Sequence, residues 1–229
     1  MTPLSGRKSL PSPGRLFCIV FPPGKRYNGG KGGIVMAKRS TRNTRAKIVT
    51  AAWELFYENG YDETTVDDIV ERSGTSKGSF YHYFAGKDAL LSSLSTLFDE
   101  KYRTLEETMP RDLDCFGQLI YLNQALFFII ENSISLELLA RLLSTQLITS
   151  SEKHLMDQSR YYFKLLRRIC MEGQKTGELR ADVSVNEMVR AYALQERALM
   201  YDWCICGGTY SLSQYSAQML PEFLQYLKK

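Results

Sequence analysis

Helix-breaking residues divide this chain into two unequal parts. Of its 23 glycines and prolines, 12 fall within residues 1–35 and only 11 in the 194 residues from Met36 onward. An interior glycine or proline costs a helix about 1 or 3 kcal/mol relative to alanine, so a body this poor in both favours long helices. Charge divides at the same boundary. Arg7, Lys8, Arg15, Lys25, Arg26 and Lys31 have no acid beside them in the first 35 residues, whereas 23 basic residues meet 25 acidic ones beyond. The formal net charge of +4 therefore belongs to the leader, and the body is not a polycation.

Residues 1–35 show neither helical nor strand period. Their longest apolar run, residues 16–21, is shorter than the ~7–15 residues of a signal-peptide core, so export is not expected. Lys31-Gly32-Gly33 can be encoded by a purine-rich ribosome-binding sequence two codons before Met36. Met36 is accordingly expected to be the natural start and the leader translated non-coding sequence, the other reading being a disordered basic extension. The 229 residues suffice for one large domain or two small ones with a core that needs no staples. Two histidines, His82 and His154, and five scattered cysteines offer no metal-ligand spacing. The nearly apolar stretch 119–130 is interrupted by Asn123 and Gln124 and falls short of the ~20 residues that span a bilayer.

Downstream lies a basic arm of Lys38, Arg39, Arg42, Arg45 and Lys47, with no acid among residues 37–53. Apolar residues then fall at Ile48, Ala51, Ala52, Leu55 and Phe56, one face of a helix that Gly60 ends with a left-handed cap. Thr64-x-x-Asp67 or Thr65-x-x-Asp68 opens a second helix with capping-box spacing; Val66, Ile69 and Val70 face inward and Gly74 closes it. Ser76 caps a third helix of about two turns over 77–84, with Phe80 and Phe84 turned to one side. Lys77, Gly78, Ser79, Tyr81 and His82 remain on the other.

Two short helices around a tight turn, the second opening with small polar residues, make a helix-turn-helix whose second member fits a major groove. Gly78 and Ser79 leave room for base edges, and Lys77 can donate to guanine O6 or N7. Tyr81, His82 and Tyr83 carry donors suited to phosphate, as does Lys87 at the start of the next helix. At 100° per residue, one of Tyr81 and Tyr83 must also approach the core boundary.

Residues 44–91 resemble the DNA-binding domain of TetR/AcrR-family transcriptional regulators over their whole length. The diagnostic parts are Phe56-x-x-x-Gly60-Tyr61, Thr64-Thr65-Val66-x-x-Ile69 and the run from Ser76 to Phe84 followed by Lys87. The resemblance implies a three-helix DNA-binding domain, here over 41–90, on an all-helical effector-binding and dimerisation domain over 91–229, about nine helices in all. It implies that Thr65, Ser76, Lys77, Gly78, Ser79, Tyr81, His82, Tyr83 and Lys87 face DNA, joined by Arg42, Thr44, Arg45 and Thr75. It also implies a small core of Ile48, Leu55, Ile69, Phe80 and Phe84.

Beyond that domain, helix follows helix. A fourth is expected over 87–109, stopped by Pro110, then a fifth over 112–132, a sixth over 136–147 and a seventh over 151–173. An eighth runs from the Ser184-x-x-Glu187 capping box to Cys206, with Gly207-Gly208 as its stop, and a ninth from Ser211-x-x-Gln214 to the C-terminus. Pro221 inside the ninth should kink it or leave a carbonyl unpaired. The broad apolar faces of the last two helices are either internal packing or a subunit interface, which period alone does not separate. The resemblance points to a homodimer built on Met188, Tyr192, Leu199, Tyr215, Met219, Phe223 and Leu227, holding two recognition helices about 34–36 Å apart.

An apolar effector pocket is expected among Tyr121, Phe127, Phe128, Leu142, Met156, Tyr162 and Trp203, each of which serves equally as plain core. Cys204 and Cys206 lie about 200° apart around a helix and do not form a pair. No cofactor, metal or catalytic constellation is expected. The reading is a cytoplasmic, ligand-responsive regulator that leaves a palindromic double-stranded operator when a small apolar effector binds. A helical ligand-binding protein without DNA recognition and a helical enzyme are the alternatives.

Overall fold

The computed structural model describes residues 36–148 and 154–229, with side chains from residue 44 onward. The leader, the side chain of Arg42 and the expected start of the seventh helix at Ser151 lie outside the described residues. Among the described residues there are nine helices and no strand: α1 Met36–Asn59, α2 Val66–Ser73, α3 Lys77–Tyr83, α4 in two segments (Lys87–Leu91 and Ser93–Thr108), α5 Cys115–Ser133, α6 Leu136–Ile148, α7 Tyr161–Thr176, α8 Val185–Ile205 and α9 Leu212–Leu224. Two 3-10 turns, His154–Met156 and Gln225–Leu227, and a single antiparallel bridge from Leu179 to Lys228 complete the regular structure.

The first three helices follow their local chemistry. Gly60 ends α1 at φ +89° and Gly74 ends α2 at φ +61°, conformations open to glycine at little cost. Of the two possible capping boxes the structure uses Thr65 with Asp68. Thr64 is fully buried, and its hydroxyl donates to the Gly60 carbonyl at 2.7 Å. Ser76 caps α3 by accepting the Ser79 N–H. Ile48, Leu55, Ile69, Phe80 and Phe84 are all buried, closed off by Phe56 and Tyr61.

The larger domain departs from local signals at several ends. The fourth helix is broken at Ser92, where three serines within four positions bond back to the chain: Ser92 to Ala89, Ser93 to Leu90 and Ser95 to Ser92. Such back-bonding competes with the helix ladder and bends it. The seventh helix begins at Tyr161, about ten residues later than expected, because its cap comes from α4: Asp99 accepts the Tyr161 N–H at 3.1 Å and pairs with Arg160 at 2.8 Å. It ends at Gly177, φ +80°, and not at Gly173. Gly173 is needed for another reason, since a Cβ there would stand 2.6 Å from Leu179 and 3.0 Å from Cys115. Asp114 caps α5 through the Gly117 N–H, placing its start at Cys115, three residues beyond Asp112. The last helix stops at Leu224, and the chain folds back so that Arg180 donates its N–H to the Leu227 carbonyl at 2.9 Å.

Helix α5 lies at the centre of this domain, packed against α4, α7 and α9, with α8 bridging α6, α7 and α9. Its middle is polar. Glu196 on α8 is buried and accepts hydrogen bonds from the Tyr162 hydroxyl at 2.6 Å and the Asn123 amide at 3.1 Å; Ser216 of α9 donates to the carbonyl oxygen of the same Asn123. Burial holds the Glu196 carboxyl above its ordinary pKa, opposed by the hydrogen bonds from Tyr162 and Asn123.

Candidate nucleic-acid interface and effector cavity

Phe80 anchors α3 in the small core, and this fixes which side faces outward. Ser76, Lys77, Gly78, Tyr81 and His82 are exposed, Tyr81 by 53%, while Ser79 is half-buried with its N–H on Ser76. A Cβ on Gly78 would meet only Ser76 Oγ at 3.9 Å, so no contact inside the chain requires glycine there. What its absent side chain preserves is open space on the outer face of the helix.

Tyr83 is the tyrosine at the core boundary; it is half-buried, with its ring edge-to-face on His82 at 4.8 Å. Thr75 is half-buried and shares a hydrogen bond with Ser73 at 2.8 Å. Thr65 is exposed and occupied with its capping box. In the arm, Thr44 is half-buried and Arg45 exposed, its guanidinium 5.3 Å from the centre of the Phe84 ring.

Two lysines differ from the simple expectation. Lys77 pairs with Asp67 of the preceding helix at 2.8 Å, with both side chains well exposed. Solvent screens such an exposed pair, so the ammonium can swing to another acceptor at little cost. Lys87, expected on phosphate, is instead enclosed: its ammonium donates to the carbonyls of Tyr61 at 2.6 Å, Thr64 at 2.9 Å and Asp62 at 3.3 Å and lies 4.3 Å from the Tyr61 ring centre. Its role here is to tie the start of α4 to the α1–α2 turn. Arg141 of α6 adds a second tie to that turn, pairing with Asp62 and covering Tyr61 at 4.8 Å.

Between α4, α5, α6, α7 and α8 lies an apolar cavity of about 40 Å³, with Phe98, Tyr102, Leu142 and Tyr162 in its walls and Arg160, Glu196 and Arg197 as its charged groups. Of the seven residues expected around an effector, only Leu142 and Tyr162 line it. Phe128 is 46% and Met156 42% exposed, Tyr121 is half-buried, and Phe127 is fully packed in the core. Trp203 is buried, its indole N–H donating to the Tyr210 carbonyl at 2.8 Å. Sequence period did carry the missing signal: Glu196 stands in the stripe of Tyr192, Leu199 and Trp203, an acid where an apolar residue is due.

The expected subunit interface also needs correction. Met188, Tyr192, Leu199 and Leu227 are buried within the chain, so they cannot meet a partner; Tyr215, Met219 and Phe223 remain accessible. The outward apolar residues of α8 are Leu194, Ala198 and Ile205. Among the four described cysteines, Cys115 and Cys170 are buried thiols whose pKa burial pushes up to about 11 and about 12. No group of three potential metal ligands occurs, and no helix is long and apolar enough to cross a membrane, both among the described residues.

Residues 48–94 match the profile of the bacterial regulatory proteins of the tetR family. A regulator of helix-turn-helix type encoded in the lacX 3′ region of Lactococcus lactis subsp. lactis is 48% identical over 46 residues, 20% of this chain and 24% of that protein. The HTH-type transcriptional regulator TtgR of Pseudomonas putida is 36% identical over 88 residues, 36% of this chain and 42% of TtgR. The chain thus spans between a quarter and about two fifths of these relatives. The fold of FadR from Thermus thermophilus, a repressor solved with lauroyl-CoA, superposes with a TM-score of 0.61 over 80% of this chain and 94% of that one, at 24% identity. The helix-turn-helix domain of this chain is thus similar to that of the tetR family of bacterial regulatory proteins, and the fold of the described residues is that of its solved neighbours.

Proposed function

We propose that this protein is a cytoplasmic homodimeric repressor whose hold on a palindromic operator weakens when a small apolar molecule enters the cavity of the larger domain. The observation that carries the reading is that the two segments of α4 reach from the helix-turn-helix domain to the cavity. At its start Lys87 is tied to the turn that orients α2 and α3; one residue past its break Ser93 accepts the Trp53 indole N–H of α1 at 2.9 Å; two turns on, Phe98 and Tyr102 line the cavity. At about 40 Å³ the cavity holds about three waters, whereas small-molecule sites occupy roughly 300 Å³ or more. An effector must therefore push its walls apart, and α4 is the wall that carries the DNA-binding domain with it. Moving such an equilibrium from 1:99 to 99:1 takes ~5.5 kcal/mol of differential affinity.

Dimerisation is supported by the apolar stripe of Leu194, Ala198 and Ile205 on α8 beside Tyr215, Met219 and Phe223 on α9. Ile205 is 81% exposed, which a lone domain has no reason to maintain. On DNA, Lys77 and Ser79 would read bases, while Arg45, Tyr81 and His82 would hold phosphates. Fluorescence anisotropy with duplexes from the region flanking the protein's own gene tests this. Lys77→Ala should relax base preference, and Arg45→Ala should weaken all duplexes alike and reduce the salt slope by about one. Binding no tighter to any flanking duplex than to random DNA would refute the reading.

A further inference from the structure

We propose that the groove between α7 and α8 is a docking site for an acidic amphipathic helix of a partner protein. The groove runs along both helices as two open spaces of about 550 and about 590 Å³ that share Arg167 and Asn186. It reaches from Met156 and Arg197 at one end to Met171 and Ser184 at the other. Asn186 and Arg197 by themselves stand about three helical turns apart along α8, a length of ~16 Å. Phe163 and Val189 are buried and close the floor, whereas Met156 and Met171 stand exposed on the banks. Leu194 adds a third exposed apolar side chain where the groove borders the stripe assigned above to the subunit interface.

The charge of the lining has one sign. Arg167, Arg190 and Arg197 line the first space, and no acid lines either space among the described residues. Arg167 donates to Gln158 alone, at its carbonyl (3.2 Å) and at its side-chain oxygen. Neither Arg190 nor Arg197 has a carboxylate within ion-pair distance among the described residues. The carboxylates of the flanking segments are engaged elsewhere. Asp157 accepts from Ser159, Glu172 pairs with Lys175 at 3.1 Å, Glu187 serves the cap of α8 through Ser184, and Glu196 is turned inward to Tyr162 and Asn123. Three guanidiniums without a counter-ion thus stand on a body in which acids outnumber bases.

The occupant must answer both the charge and the exposed thioethers. A free phosphate or carboxylate satisfies one arginine and leaves Met156 and Met171 in water, and a nucleic-acid backbone meets the charge but brings nothing apolar to the methionines. A helix of three turns, with apolar side chains on one face and carboxylates on its flanks, supplies both. Its apolar face meets methionines that repack around varied side chains, and its carboxylates meet guanidiniums in the paired geometry that suits both groups. The proposal stands without the DNA-binding reading above.

The probe is a fluorescent dodecapeptide of alternating leucine pairs and glutamate pairs, whose leucines fall on one helical face, and its control is a scramble of the same composition without that face. Anisotropy should show saturable binding of the amphipathic peptide to the full chain, with the scramble weaker by about tenfold or more. Arg190→Glu and Met171→Glu, both at exposed positions, should each lower affinity about tenfold with unchanged melting temperature and sedimentation coefficient. Arg190→Lys, which keeps the charge, should lose far less. Equal affinity for the scramble, absence of saturation, or unaffected Arg190→Glu and Met171→Glu variants would overturn the site. Displacement of the peptide by random duplex DNA would also overturn it, by placing the peptide on the DNA-facing surface. A slower-sedimenting Arg190→Glu variant would do the same, by assigning the groove to the subunit interface. Failure of the protein to bind DNA with peptide binding intact would count only against the repressor reading.

Discussion

The two domains of this protein stabilise their interiors in opposite ways. In the helix-turn-helix domain the core is almost wholly apolar, and its helix ends are finished by neighbours in sequence: Thr65 with Asp68, Ser76 with Ser79, and glycines at 60 and 74. In the C-terminal domain the deepest layer holds a carboxyl, an amide, a hydroxyl and a tyrosine joined across 34 to 93 residues of chain. Its helix ends also borrow from afar, with Asp99 serving α7, Glu178 reaching the Cys115 N–H at the start of α5, and Glu131 serving α9. On the function proposed above, a domain that holds one shape on DNA can be built from short-range rules, whereas one that yields to a ligand carries polar groups whose partners depend on how its helices are spaced.

If that contrast is real, the largest effect comes from the apolar core. Phe80→Ala should cost about 3–5 kcal/mol and melt the small domain ahead of the larger one, separating two transitions in a calorimetric scan. Asn123→Leu attacks the polar core: it removes a donor from Glu196 and the acceptor of Ser216, at about 1–3 kcal/mol for each group left unpaired, and should lower the melting temperature without touching DNA affinity per folded molecule. A third test uses pH. Because the folded state holds the Glu196 proton more tightly than the unfolded one, whose value is 4.5, stability should fall as pH rises from there toward the raised folded value. The slope cannot exceed about 1.4 kcal/mol per pH unit from one group, and Glu196→Gln should flatten it in urea titrations across that range. The smallest effect is local: Thr65→Ala should cost about 1 kcal/mol through the lost cap, read as faster amide exchange confined to the start of α2.

The same contrast explains what the amino-acid sequence disclosed. Caps, stops and the inward faces of α1 to α3 are set within a few residues, so the small domain and the outward positions of Ser76 to His82 were readable. Lys87 was not, since its acceptors lie 23 to 26 residues earlier and only folding brings them around its ammonium. In the larger domain, helix number and most boundaries followed from periodicity. Which apolar face lies inward did not: Tyr192 and Tyr215 look alike in period, yet one is fully buried and the other 39% exposed. The cavity was misplaced for the same reason, because Phe128 and Tyr162 are equally aromatic and only the packing of α5 against its neighbours separates them.

The small size of the cavity has a consequence for how a cell would experience this protein. If the state that admits an effector is a minor one, the dose needed for half-response is set chiefly by how seldom the helices part, and only secondarily by how well the molecule fits. Variants that trim a wall, such as Leu142→Ala, would then sharpen sensitivity to every inducer at once. Hair-trigger mutants of this kind would arise without any change in what the protein recognises.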